Sequence, residues 1–418
     1  MLKLYSSLSQ IITVNTQGEN LKRGSQLKEI GILENHSIVT ENDIIKDFIP
    51  HGSEKKEIFD HVIDLPGKVI LPGLIDCHTH TIFAGSRANE FRMKIAGASY
   101  EEIAQMGGGI NRTVQSLREL SLQELVELTK PKIEYAISQG ITTLEIKSGY
   151  GLNLEDEIKI LEVIEILNKQ YEIDIVSTFL GAHTYPPEFK TDHESYIKLI
   201  TERLLPYIAQ RKLARFCDAF CEKTAFSVDE TEVIFKKASE LGFDLKLHTD
   251  QFNNIGGIDL GLKYNVQSLD HLEVINKKEI KKVSKAETAC VLLPGVSFFL
   301  HYGYAPAREM INGGAILAIS TDYNPGSSHI ANLNFIMSLA CIELRMTFEE
   351  VISAVTINAA KALGENLTRG SLEIGKKADF AVFDTEEYSD IIYNVAKNLN
   401  ICTVKNGKVI YKSSKVEI

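Results

Sequence analysis

Between residues 67 and 370 short apolar runs alternate with helix-patterned stretches, and no other feature restricts the fold as tightly. Eight apolar runs centre on residues 69–76, 141–147, 173–180, 215–221, 243–248, 266–270, 288–293 and 315–320. Amphipathic stretches at Leu122–Gln139, Glu155–Lys169, Glu194–Ala209, Val228–Leu241 and Lys277–Val283 separate most of them. Strands joined through helices lie parallel, because a parallel neighbour needs a long crossover. A doubly wound sheet and a barrel both alternate this way. Eight repeats over roughly 300 residues favour an α/β TIM-type (β/α)8 barrel.

The flanks read differently. Ile11–Val14, Glu29–Leu33, His36–Val39 and His61–Leu65 are short β-rich runs broken by Gly, Asn and Ser. Ala378–Asp384 alternates, and Thr403–Tyr411 reads as a hairpin turning at Asn406-Gly407. We expect a small β-sandwich domain built from residues 1–66 and 371–418, with the barrel at 67–370.

Active sites of such barrels lie at the carboxyl ends of the strands. Here those ends carry His78 and His80; Lys147–Gly151; Gly181–His183; Cys221-Glu222; His248–Gln251; Asp270-His271; and Thr321–Asn324. Of 11 histidines in the chain, five fall at these ends: His78, His80, His183, His248 and His271. In a strand, residues i and i+2 share a face, so His78 and His80 can set two imidazoles side by side.

Composition removes other classes. A formal net charge of −11 argues against nucleic acid or an anionic membrane as the main partner. The six cysteines form no close CxxC pair, and most sit in apolar runs, which fits reduced thiols in the cytoplasm. The N-terminus lacks a signal-peptide layout, and no apolar run reaches the roughly 18 residues of a transmembrane helix.

A hydrolytic metal centre needs three or four ligands and an open position for water. His78, His80 and His248 offer nitrogens and Asp322 a carboxylate. A divalent ion there would bring the pKa of a bound water to about 7, and Asp322 can take its proton. Alternatively, the histidines are ordinary turn residues and Asp322 a helix N-cap, although such residues seldom converge on one rim. His271 is a further ligand or a group polarising water or substrate. Arg87 suits bidentate capture of a carboxylate, and the Asn324–Ser328 loop offers amides and hydroxyls for one. Gly107-Gly108-Gly109-Ile110 reads as a lid without a phosphate-loop lysine.

Leu71–His80 resembles the first-strand signature of the amidohydrolase superfamily, and Gly370–Phe380 resembles the segment where its barrel returns to the β domain. Within the superfamily, Thr81–Arg87, Met106–Ile110, Glu145–Leu152, Phe179–His183 and Ser320–Gly326 are most similar to the ring-opening branch of histidine degradation. The resemblance implies one divalent ion, zinc or iron, on His78, His80, His248 and Asp322. It implies that Arg87, Tyr150, His183, Gln251, Asn324, Gly326 and Ser327 contact 4-imidazolone-5-propanoate or its product, and that Asp322 and His271 are catalytic. Ser327 stands where relatives are expected to carry threonine. Binuclear members use a carboxylated lysine at the fourth strand end. Cys221-Glu222-Lys223 is out of phase with that role, so one metal is expected. A small-molecule substrate and a homodimer complete the expectation. The alternatives are a cytosine- or guanine-type deaminase, for which His248–Gln251 lacks the usual glutamate, and a non-catalytic scaffold, which intact ligands disfavour.

Overall fold

The computed structural model describes residues 1–97 and 108–414. Eight parallel strands run in sequence order: Leu74–Asp76, Ile141–Lys147, Asp174–Ala182, Phe216–Cys221, Asp244–Thr249, Ser268–His271, Ala289–Leu292 and Ile316–Ile319. The first and last meet just beyond these limits. Thr79 bridges Tyr323, the Asp322 amide donates to the His78 carbonyl (3.0 Å), and the His80 amide donates to the Tyr323 carbonyl (3.0 Å). The sheet thus closes into a barrel at its carboxyl end, where the histidine pair lies. Asp76 pins the same seam, accepting from the Thr321 amide (3.0 Å), the Thr321 hydroxyl (2.7 Å) and the Ser320 hydroxyl.

The apolar run 69–76 is two strands, not one. Val69–Pro72 pairs antiparallel with Phe380–Phe383 and parallel with Gln10–Ile12, whereas Leu74–Asp76 pairs with the second barrel strand. The change takes one residue: the Gly73 amide donates to Asp379 (2.9 Å) and the Leu74 amide to Gly140 (2.9 Å). A Cβ at position 73 would lie 2.2 Å from Thr142 Oγ1, so glycine is what lets the chain pass between the two sheets. Periodicity could not reveal the break, since every residue on either side of it is buried.

Helices follow the expected pattern where capping is strong. Ser121, Ser227, Asn276 and Thr347 each form a reciprocal capping box with the glutamate three residues on. The stretch expected as one helix over 194–209 divides into His193–Lys198, a π-helical turn at Leu199–Leu204, and Leu205–Arg211. Pro206 explains this, because it lacks an amide to continue the i→i−4 ladder and its ring crowds the carbonyl four residues back.

The flanks, joined by Val69–Pro72 from the stretch expected to belong to the barrel, form two sheets. A four-stranded sheet holds Leu2–Ser6, His36–Glu41, Ile44–Pro50 and His61–Asp64. A six-stranded one holds Gln10–Ile12, Ile32–Glu34, Val69–Pro72, Phe380–Phe383, Asn400–Lys405 and Lys408–Lys412. Tyr5, Ile38 and Ile45 from the first pack with Ile11, Ile70, Phe380, Val382 and Val404 from the second, making a sandwich with its own core. Asn406 and Gly407 turn the last hairpin with φ of 49° and 70°, as a type I′ turn requires. All six cysteines are free thiols. Among the described residues no helix is long and apolar enough to cross a membrane.

Candidate active site

Strand alternation sends His78, Lys147, Asp218, His248 and Asp270 into the barrel. The His78 imidazole is wholly buried, with Nδ1 2.7 Å from Asp270 Oδ2. His248 is held the same way, Nδ1 3.0 Å from Asp218. A carboxylate can only accept, so each Nδ1 carries the proton and each Nε2 keeps its lone pair. Those two Nε2 atoms are buried without a hydrogen-bond partner, and so is Asp322 Oδ1. His78 Nε2 lies 3.6 Å and His80 Nε2 3.4 Å from Asp322 Oδ1. Donor atoms of His78, His80 and Asp322 lie within 4.8 Å of one another, as do those of His78, His248 and His271. A cluster of unpartnered acceptors in the interior is costly unless a cation fills it. The donor set therefore fits a divalent metal.

Electrostatics agree. Burial holds the His78, His80 and His248 pKa values below the ordinary imidazole value, which leaves neutral imidazoles suited to ligation. Burial pushes the Asp322 carboxyl up to about 7, with His271 and an Asn324 hydrogen bond opposing the rise. Burial raises Asp218 too, but the His248 imidazole and the Lys147 ammonium, both hydrogen-bonded to it, outweigh burial and hold the carboxyl far below its usual range. For His271, burial disfavours the charged ring, yet Glu273, Asp322 and Asp270 together raise its pKa.

Above these groups opens a cavity of about 570 Å3. His80, His248, His271 and Asp322 face it, and His78 lies beneath. Its walls contain every other residue expected at the site: Arg87, Tyr150, His183, Gln251, Asn324, Gly326 and Ser327. His183 stacks on His80 with ring centroids 5.2 Å apart, and its Nδ1 donates to the Gly149 carbonyl (3.0 Å). Its Nε2 is consequently an acceptor, and burial lowers its pKa to about 4. Gln251 donates to the Tyr302 hydroxyl (3.1 Å). Arg87 is clamped by Glu90, with Nε at 2.8 Å and Nη2 at 2.7 Å from one carboxylate oxygen. That leaves Nη1 against Gly326.

One expectation changes. The Asn324–Ser328 loop does not offer its first amides to a ligand. Those of Gly326 and Ser327 donate to Asn324 Oδ1 (2.8 and 2.7 Å), because an asparagine starting such a turn bonds its own backbone two and three residues on. Of the glycine-rich segment, Gly107 lies outside the described residues; the Gly109 amide donates to Glu90 (3.1 Å), and Ile110 lines the cavity. Glu222, noted only as out of phase, accepts from the Phe252 and Asn253 amides (3.0 Å each) and so ties the loops after strands four and five together.

Sequence reading missed the charged layer under the site: Glu145, Lys147, Asp218, Lys246 and Asp270, all wholly buried. A signal existed. Parallel barrel strands are buried on both faces, and ionisable residues at inward positions of such strands rarely lack a purpose. The backbone at the rim is strained as well. Asp250, His271, Leu272 and Asp322 adopt φ of 55°, 86°, 70° and 48°. Non-glycine residues hold such angles at about 1–3 kcal/mol each, most often at functional sites.

The amidohydrolase family profile matches residues 69–410. An imidazolonepropionase from Fusobacterium nucleatum is 42% identical, the alignment covering 98% of this chain and 99% of that protein. Another from Flavobacterium johnsoniae is 41% identical over 98% of this chain and 100% of its own. Among solved structures, an adenosine deaminase from Xanthomonas campestris with bound zinc superposes with a TM-score of 0.74 at 16% identity, over 99% of this chain and 94% of its own. An atrazine chlorohydrolase from Arthrobacter aurescens complexed with zinc also gives 0.74, at 17% identity over 98% and 95%. With its closed eight-stranded barrel, its sandwich and these full-length relatives, the chain belongs to the amidohydrolase family.

Proposed function

We propose that this chain is a metal-dependent hydrolase that opens the ring of 4-imidazolone-5-propanoate to N-formimidoyl-L-glutamate, a step of histidine degradation. The observation that carries the reading is one cavity holding both an unpartnered His/Asp donor cluster and a clamped arginine. The name shared by the full-length relatives supports it.

In this reading His78, His80, His248 and Asp322 hold one divalent ion, zinc or iron. Once bound, the ion supplies a Lewis acid for the ring carbonyl and a water that ionises near neutral pH. Asp322, buried at the cavity floor, takes a proton from the attacking water and returns it to the leaving ring nitrogen. His271, backed by Glu273 at 3.6 Å, donates to the oxyanion that develops on the carbonyl. His183 presents an acceptor to a ring N–H. Arg87 engages the propanoate through Nη1, with Tyr150 and Ser327 alongside, so that the ring carbon is placed rather than merely bound. Asn324 shapes the loop that carries Ser327, and Gln251 meets the substrate from the wall beside Tyr302. Every residue given a role falls within 67–370, the proposed catalytic unit. The reading places the enzyme in the cytoplasm as a homodimer, which light scattering on the purified protein checks.

The deciding experiment follows loss of the ultraviolet absorbance of imidazolone propanoate with zinc- or iron-loaded protein. Turnover with release of formimidoylglutamate is expected, and absence of turnover by the loaded, folded protein refutes the reading.

A further inference from the structure

We propose that Lys147 is a positioning residue: its buried ammonium holds the carboxylates of Asp218 and Asp270 where they fix the imidazoles of His248 and His78. One lysine would then order two of the four ion-binding donors. The inference rests on the reading of those histidines as ligands.

Geometry carries it. Lys147 ends the second barrel strand and is wholly buried. Its Nζ lies 2.8 Å from Asp218 Oδ2, 3.0 Å from Glu145 Oε1 and 3.6 Å from Asp270 Oδ2. Both oxygens of Asp218 lie 3.0 Å from His248 Nδ1, and Asp270 Oδ2 itself receives His78 Nδ1 at 2.7 Å. The ammonium thus stands between the two carboxylates that decide which nitrogen of each imidazole carries a proton and which way each ring faces. Outer partners of this kind orient metal-bound histidines and fix their tautomer.

The second buried lysine is differently engaged. Lys246 Nζ donates to Glu145 Oε2 (2.9 Å) and to the Cys77 carbonyl (3.1 Å), and comes no nearer than 4.0 Å to Asp270. Glu145 lies between the lysines and is steadied by the Thr178 hydroxyl. In this layer three carboxylates meet two ammonium groups. Its surplus is negative, on the side from which a cation's histidines are held. Without Lys147, Asp218 and Asp270 would repel each other and lose the donor that sets their spacing, and both rings would be free to turn.

The test reads metal affinity and imidazole state rather than turnover. In Lys147→Met, chelator competition should show zinc binding weakened by at least about tenfold, the low end for loss of one outer partner. The imidazole 15N shifts of metal-free protein should move at both His78 and His248. Lys246→Met should weaken zinc less. Lys147→Met should add little on top of Asp218→Asn with Asp270→Asn, because the lysine acts through those carboxylates. A folded Lys147→Met protein with wild-type zinc affinity and unchanged shifts overturns the proposal. Should that variant fail to fold, Lys147→Gln is read in the same way, and the metal-free wild type supplies a necessary condition. Protons on Nδ1 of both rings are required, and an Nε2–H form at either refutes the scheme. Wild-type protein that takes up no divalent ion would instead remove the metal reading, and the 15N spectrum would still report on how the layer holds the two rings.

Discussion

Gly326→Ala isolates the proposed carboxylate clamp from the rest of the site. Position 326 has no left-handed backbone, so alanine brings no conformational penalty there. Its Cβ would, however, lie 2.1 Å from Arg87 Nη1 and 3.0 Å from Cζ. Reaching ordinary contact needs a shift of about 1.3 Å or more. Arg87 cannot yield easily, because Glu90 holds Nε at 2.8 Å and Nη2 at 2.7 Å. The guanidinium should therefore leave its place beside the cavity. A charge-assisted hydrogen bond is worth about 1.5–3 kcal/mol, so losing the one to propanoate should raise KM roughly 10- to 150-fold. Steady-state kinetics on imidazolone propanoate reads this directly. Arg87→Ala should raise KM to a similar degree, and adding Gly326→Ala to it should cost almost nothing more. A Gly326→Ala enzyme with KM within about twofold of wild type would refute the argument, and so would full additivity with Arg87→Ala.

Other consequences concern the seam and the metal. Asp76→Ala strands the amide and hydroxyl donors of Thr321, while the Ser320 hydroxyl keeps the His78 carbonyl at 3.1 Å, and should lower unfolding free energy by about 2–4 kcal/mol; an unchanged thermal melt would count against the seam. Burial pushes Asp322 up to about 7, whereas an unfolded aspartate titrates near 3.9. The native metal-free chain therefore binds the extra proton between those values, and the stability it contributes is full below about pH 4 and lost as pH rises through 7. Metal-free wild type should lose Tm relative to Asp322→Asn across that window, and parallel curves would refute it; the loaded variant should also be inactive. Zinc at 100 times its Kd should stabilise the protein by about 2.7 kcal/mol, and a melt unmoved by zinc or chelator would exclude tight binding to the native state.

Much of the site was legible because it follows the period of two. His78 and His80, His248, His271 and Asp322 stand at strand ends, where an apolar run stops and a polar residue must face the barrel mouth. Arg87 and His183 were marked by chemistry and by place, Tyr150 through resemblance, and the cavity gathers all three. What stayed hidden depends on contacts between distant segments. Glu90 is three residues from Arg87, yet nothing in the sequence says that its carboxylate also takes the Gly109 amide. Asp218 and Asp270 are 52 positions apart and become one device only when Lys147 lies between them. The division of 69–76 was unreadable for a simpler reason, since both halves are equally apolar and only the close approach to Thr142 marks the glycine.

The switch at Gly73 also says something about order of assembly. The strand leading to His78 and His80 is made before most of the chain it must pair with, and few of its hydrogen-bonding partners are near it in sequence. Asp379 receives the Gly73 amide, Val355 the Ile75 amide, and Thr321 reaches Asp76 across 245 positions. Contacts so distant form slowly, because a long loop must close before they repay it. The histidine pair is therefore made well before the residues that fix it and is among the last to be fixed. Until the C-terminal strands arrive, the chain presents scattered imidazoles rather than a coordination sphere, so tight metal capture should appear only at the end of folding.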